Sequence, residues 1–256
     1  MLKRFLALGA VVALALIALV AYSVLRAPAA ASEPIEAIPL EVETQEPPTE
    51  AVSATTETTE AQDTAAPVAT ATEAQATDSL LVFEISPADS EVRFELDEDL
   101  RGVRTTVVGT TDQVAGQIAF DPADLASAQV GIIQINARTL ATDNDFRNRA
   151  IQNQILDTGD YEYITFTPES IQGLEGSTRV GETVTFTILG DLTIRDVTQE
   201  VTFSVEATRV SEIQLAGTAR ATVSRGDYSL VIPSVPQVAN VEEEIELILE
   251  FLAAAA

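Results

Sequence analysis

From Leu80 to Ala256, apolar and polar residues alternate with a period of two, and that pattern decides which folds are open to this chain. Successive side chains of an extended strand point to opposite faces, so alternation builds a strand with one dry and one wet face. SEVRFELDE sets Val92, Phe94 and Leu96 against charged neighbours, and TVTFTIL sets Val184, Phe186 and Ile188 against threonines. EVTFSVEA does the same with Val201, Phe203 and Val205, while EEIELILEF carries Ile245, Leu247, Leu249 and Phe251 on one face and mostly glutamates on the other. Fully buried parallel strands read as continuous apolar runs instead, so these segments predict an antiparallel sheet with one solvated face.

Turn residues punctuate the runs at Asp89-Ser90, Asp121-Pro122, Gly173 to Gly176 and Gly190-Asp191. One stretch departs from the pattern. Between Asn144 and Leu156, Phe146, Ala150, Ile151 and Ile155 recur at helical spacing behind Thr142 and Asp143, which are cap candidates, and predict one short inserted helix. Eight to ten strands with one buried face must stack as a sandwich or close as a barrel. Composition does not choose between them. Gly109, Gly116, Gly131 and Gly217, inside or beside strands, point to sharp curvature or bulges and weigh toward a barrel.

The chain contains no cysteine and no histidine. Zinc and haem sites that need them, disulfides, thiol nucleophiles and imidazole-dependent triads are therefore excluded, and neither a metal nor a cofactor is expected. The formal net charge is −26, from 40 acidic against 14 basic residues, so phosphate backbones are repelled and nucleic acid is not an expected partner.

Ahead of the alternating region lie two segments of different character. Lys3 and Arg4 precede an uncharged apolar run from Phe5 to Leu25, closed by Arg26, which is long enough at about 1.5 Å per residue to span a bilayer core of about 30 Å. Residues 1–26 are expected to be a signal-anchor or transmembrane helix; Ala29, Ala30 and Ala31 leave a cleaved signal peptide open. Either way, the two bases place everything after Arg26 outside the cytoplasm by the positive-inside bias. Residues 27–79 mix Ala, Thr, Glu and Pro without any base or aromatic residue, a composition expected to remain a disordered, solvated linker. The folded domain is assigned to residues 80–256.

The order of several segments resembles the YceI-like polyisoprenoid-binding family. They are GQIAFDPADLASAQVGIIQINARTLATDN (Gly116 to Asn144), the arginine-bearing helix, YEYITFTPESI (Tyr161 to Ile171) and LGDLTIRDVTQEVTFSVEA (Leu189 to Ala207). The resemblance implies an eight-stranded, antiparallel, lipocalin-like β-barrel around an apolar tunnel that takes an isoprenoid or another amphiphilic lipid. On that reading Phe94, Phe120, Phe166, Phe186 and Phe203 face the tunnel, and Arg147 and Tyr163 are candidates for a polar mouth; filling of a solid core explains the phenylalanines equally well. Two segments depart from the family pattern. Its Asp-Arg-x-x-(Phe/Tyr)-Gly run reads Ser224-Arg225-Gly226-Asp227-Tyr228-Ser229 here, and its Thr-Ile-Arg-Gly-Val-Thr turn carries Asp196 in place of glycine.

Other patterns lead nowhere. Arg225-Gly226-Asp227 coincides with the family segment, and Asp143-Asn144-Asp145 lacks the glycine and distal glutamate of a calcium loop. Clustered acids such as Asp97, Glu98 and Asp99 carry no information in so acidic a chain, and no catalytic residue is assigned. Two functions remain open: a lipid-binding carrier or store, and a membrane-tethered structural or adhesive β module with a solid core and a protein partner.

Overall fold

Alternation becomes sheet throughout the second part of the chain. The computed structural model describes Tyr22, residues 26–40 and residues 80–256. The apolar run expected to cross a membrane lies outside these, Tyr22 excepted, as do residues 41–79. Among the described residues no helix is long and apolar enough to cross a membrane.

The strands are β1 (Leu81–Ile85), β2 (Glu91–Leu100), β3 (Val103–Thr111), β4 (Val114–Ala115), β5 (Gln117–Asp121), β6 (Asp124–Val130) and β7 (Ile133–Asn136). After a helical insertion come β8 (Tyr163–Gln172), β9 (Thr183–Ile194), β10 (Val197–Arg209), β11 (Gln214–Ser224), β12 (Val238–Ala239) and β13 (Glu244–Ala255). They form one sheet in the order β4-β7-β8-β9-β10-β11-β13-β1-β5-β6, with β2 pairing β13, β3 and β12. Pairing is antiparallel wherever register is defined, as the alternation requires. Only Gly116 separates β4 from β5. This nearly continuous strand therefore pairs with β7 at its start and with β1 at its end, so the sheet curls round on itself.

The count of thirteen strands, where the resemblance implied eight, reflects interruptions within longer runs. β1 and β2 both pair with β13, at Phe83↔Ala255 and Val92↔Leu249, and are divided by a turn of 3₁₀ helix at Pro87–Asp89. A proline at the first position of that turn has a fixed φ that suits it and no amide to lose from a ladder.

The inserted helix differs from the expectation in three respects. Its α-helical part, α1, runs from Asp145 to Ala150 and continues into a π-helical turn, Ile151–Ile155. The cap is Asn144, not Thr142 or Asp143: its side-chain oxygen accepts from the amides of Phe146 and Arg147 at 2.9 and 3.1 Å. Thr142 instead donates its hydroxyl to Asn148 at 2.7 Å. The wider π turn shifts the buried stripe toward Ile151 and Leu156 and leaves Phe146 76% exposed, although helical spacing had grouped it with the apolar face.

A further difference concerns residues 27–40, expected to be solvated spacer. They lie against the barrel wall. Ser32 donates its amide and hydroxyl to Glu162 at 2.8 and 2.7 Å, Arg138 donates to Ala30 O and Ser32 Oγ, and the Leu40 amide donates to Gln117. Ile35 is buried, and Arg26 pairs with Asp157 at 3.5 Å. These contacts offset an ordering entropy that local composition alone cannot.

Candidate functional site: an apolar lumen

The inner face of the curled sheet encloses a cavity of about 200 Å³. Alternation decides which side chains reach it. On β10 these are Phe203, Val205, Ala207 and Arg209, while Thr202 and Ser204 are exposed. On β9 the lining residues are Val184, Phe186, Ile188, Leu192 and Ile194; the run skips Gly190, which has no side chain to contribute. On β8 they are Ile164, Phe166 and, after the register shift between Pro168 and Ser170, Ile171. The bulge supplies one extra residue and so changes which parity faces inward.

Three phenylalanines lie close against the wall because a glycine leaves room for the ring. Phe94 is paired with Gly109 across β2 and β3, and a Cβ at position 109 would run into that ring. Phe251 lies over Gly217, its register partner, where a Cβ would stand 2.7 Å from the ring. Phe166 lies against Gly190 in the same way, at 2.9 Å. Rings laid along the wall keep apolar surface facing the lumen without filling it. The remaining pairs pack by their own geometry, with Phe166 and Phe203 edge to face at 4.8 Å and Phe83 stacked on Phe120 at 5.4 Å.

Apart from Arg93, Thr178, Thr208 and Arg209, every lining residue is apolar. Arg93 turns its guanidinium outward, to Glu95 and Glu250 at 3.0 Å each. An apolar space of this kind stays free of water and takes an apolar guest.

A family model for the YceI-like domain matches residues 83–253. The chain belongs to the YceI-like family. Solved structures agree in fold. A polyisoprenoid binding domain from Saccharophagus degradans, implicated in plant cell wall breakdown, superposes with a TM-score of 0.53 at 16% identity, over 69% of this chain and 99% of that one. Burkholderia cenocepacia BcnA gives 0.52 at 18% identity, over 66% and 99%. No curated protein matches the chain.

The YceI-like barrel brings Phe94, Phe120, Phe166, Phe186 and Phe203 together around the lumen and leaves Arg147 and Tyr163 out of it. Arg147, on α1, bonds Glu98 at 3.0 Å and Asp143 at 2.8 Å. Glu98 is buried on the face of β2 that also carries Val92 and Phe94, and a carboxylate taken out of water needs such a partner. The pair ties α1 to β2. Tyr163 has the opposite parity to Ile164 and Phe166, so it lies on the outer wall near Glu33. Burial pushes its hydroxyl up, with the Glu162 and Glu33 charges adding to the effect. The same alternation that placed Phe166 inside would have placed Tyr163 outside.

Two residues of interest were not singled out from sequence. Continuing the inward positions of β10 past Val205 reaches Arg209, a signal that was legible. Tyr228, on the turn after β11, is 1% exposed with its hydroxyl unpartnered among the described residues. Burial, then the Asp227 and Asp191 charges, push its pKa up to about 12, and neutrality is what a buried phenol without a partner requires.

Proposed function

We propose that this YceI-like domain binds the hydrocarbon part of an isoprenoid or another long-chain amphiphile inside its barrel, as a carrier or store rather than an enzyme. The observation that carries this reading is the lumen itself, apolar except at one end and walled by phenylalanines that glycines hold against the sheet. The extracytoplasmic side is the reading supported by Lys3 and Arg4 ahead of the apolar run Phe5 to Leu25, which would also anchor the protein to the membrane.

Volume sets the scale of what enters. Where about 150 Å³ of apolar cavity takes a six-carbon ring, a cavity of about 200 Å³ takes roughly eight carbons. At roughly 0.8 kcal/mol per methylene this gives about 6 kcal/mol before the costs of association. A longer chain would seat only one end unless partly buried rings such as Phe186 and Phe203 swing aside. The same modest volume favours the second reading, a membrane-tethered structural or adhesive β module with a solid core.

Native mass spectrometry of the full chain extracted from membranes, before and after solvent extraction, separates the two. A discrete adduct of isoprenoid or fatty-chain mass that solvent removes is expected. A bare mass that stays bare when isoprenoids are supplied would leave the structural module as the better account.

A further inference from the structure

At the end of the barrel away from α1, the apolar lumen finishes on a cation. Arg209 holds the last inward position of β10 and lines the cavity together with Thr178 and Thr208. Its Nε is buried and has no partner among the described residues, and no ion pair there includes its guanidinium. Among the described arginines, Arg101, Arg149 and Arg179 also lack an ion pair with a carboxylate, but none of these lines the lumen, and Arg93, which does, turns out to Glu95 and Glu250.

Arg209 is tied to its neighbouring loop through the backbone rather than through a carboxylate. The Arg209 amide donates to Glu182 O and the Gly181 amide donates to Arg209 O, which ties the end of β10 to the loop before β9. The carboxylate of Glu182 accepts from the Arg179 amide at 3.0 Å. Of the other acids in the loops at this end, Glu175, Glu212 and Asp124 are exposed, and Asp121, in the turn that bonds Thr178 through Pro122 O, accepts from the Ala123 amide at 2.8 Å. Burying a guanidinium edge without a hydrogen-bond acceptor costs free energy, and an acceptor arriving with a guest would recover it.

Resting on the lumen reading above, we propose that the guest is an anionic amphiphile, its carboxylate or phosphate held by Arg209 with the Thr178 hydroxyl and its hydrocarbon in the lumen, the Thr208 hydroxyl being bonded to Thr183 at 2.7 Å. A guanidinium offers two parallel N–H donors that match either head group. The net charge of −26 opposes an approaching anion at long range but is screened beyond about 8 Å at physiological salt, whereas contact with Arg209 is not.

The test is isothermal titration of the full chain, freed of lipid and held in a fluorinated surfactant, with 1-decanol, decanoate and decyl phosphate above the carboxyl pKa. Decanol reads the lumen alone. Decanoate is expected to bind at least tenfold more tightly than decanol, decyl phosphate at least as tightly as decanoate, and Arg209→Gln to reduce the preference of acid over alcohol to within twofold. Arg209→Lys should restore part of it. Equal binding of acid and alcohol by the natural chain, or a preference that survives Arg209→Gln, overturns the head-group site and leaves the lumen standing. Failure of all three probes overturns the lumen reading and this one with it.

Discussion

Phe203 carries its ring on the inner face of β10, edge-on to Phe166, while its neighbour Thr202 is exposed. Phe203→Ala removes wall that already borders a cavity, so it should cost about 3 kcal/mol, the low end for such truncations, and weaken retention of an apolar guest. Thr202→Ala should change neither. Denaturant melts together with binding titrations on variants still folded by circular dichroism check both, and the reverse ranking would mean the strand faces are misassigned. Glycine substitutions separate lumen from scaffold. At Gly109 an added methyl meets only the far edge of the Phe94 ring, which can swing into the lumen; Gly109→Ala should therefore lower guest affinity several-fold at a modest stability cost of about 1 kcal/mol. At Gly190 the methyl would meet the backbone of Thr167 and stand 2.8 Å from Pro168 Cα, neither of which can turn away. Gly190→Ala should lower the melting temperature far more than Gly109→Ala, and equal shifts would contradict this account of the wall. Residue-level geometry also explains a family departure. At the β9–β10 turn it is Arg195 that adopts φ 59°, so Asp196, where the family has glycine, meets no left-handed backbone and incurs no strain.

Elements were legible in the sequence wherever their order is local. The alternation of Val201, Phe203 and Val205 placed that strand's two faces correctly, because period two is a property of any extended chain. The helix was legible in place but not in phase, since the π turn that exposes Phe146 depends on packing beyond it. The strap of residues 26–40 was not legible at all. Its Ala, Pro and Glu content matches a spacer, and its order comes from Arg138 and Glu162, more than a hundred positions away. The strap has a pH dependence whose sign follows from Glu162. Burial pushes that carboxyl up, but the Ser32 amide and hydroxyl, the Asn136 side chain and the Arg138 charge outweigh it and hold the pKa below the usual 4.5. A carboxylate depressed in the folded state gives stability that is complete above its unfolded pKa and lost as pH falls through the folded one. The Ser32 amide resonance should therefore hold its docked shift down to about pH 5, move toward the unfolded value below about pH 4, and move at neutral pH in Arg138→Gln. A Ser32 amide already at its unfolded position in the natural chain near neutral pH would contradict the docked strap.

For the molecule as a whole, family membership and the curled antiparallel sheet agree with the order of segments in the sequence, whereas the dimensions of the lumen depend on long-range register that no single segment reveals. That register lays Phe94 over Gly109 and Phe251 over Gly217, and it decides whether the barrel is filled or keeps room for a guest. The most direct measurement is a chain-length series of 1-alkanols, whose uncharged heads make the result independent of Arg209, titrated calorimetrically into the lipid-free full chain in fluorinated surfactant. Each methylene buried in the lumen contributes roughly 0.8 kcal/mol, about fourfold in affinity, so affinity should climb at about that rate up to roughly eight carbons and level off beyond, or keep rising where the rings swing aside. Affinity that does not change with chain length from the shortest alcohol onward would mean that the hydrocarbon never enters the barrel.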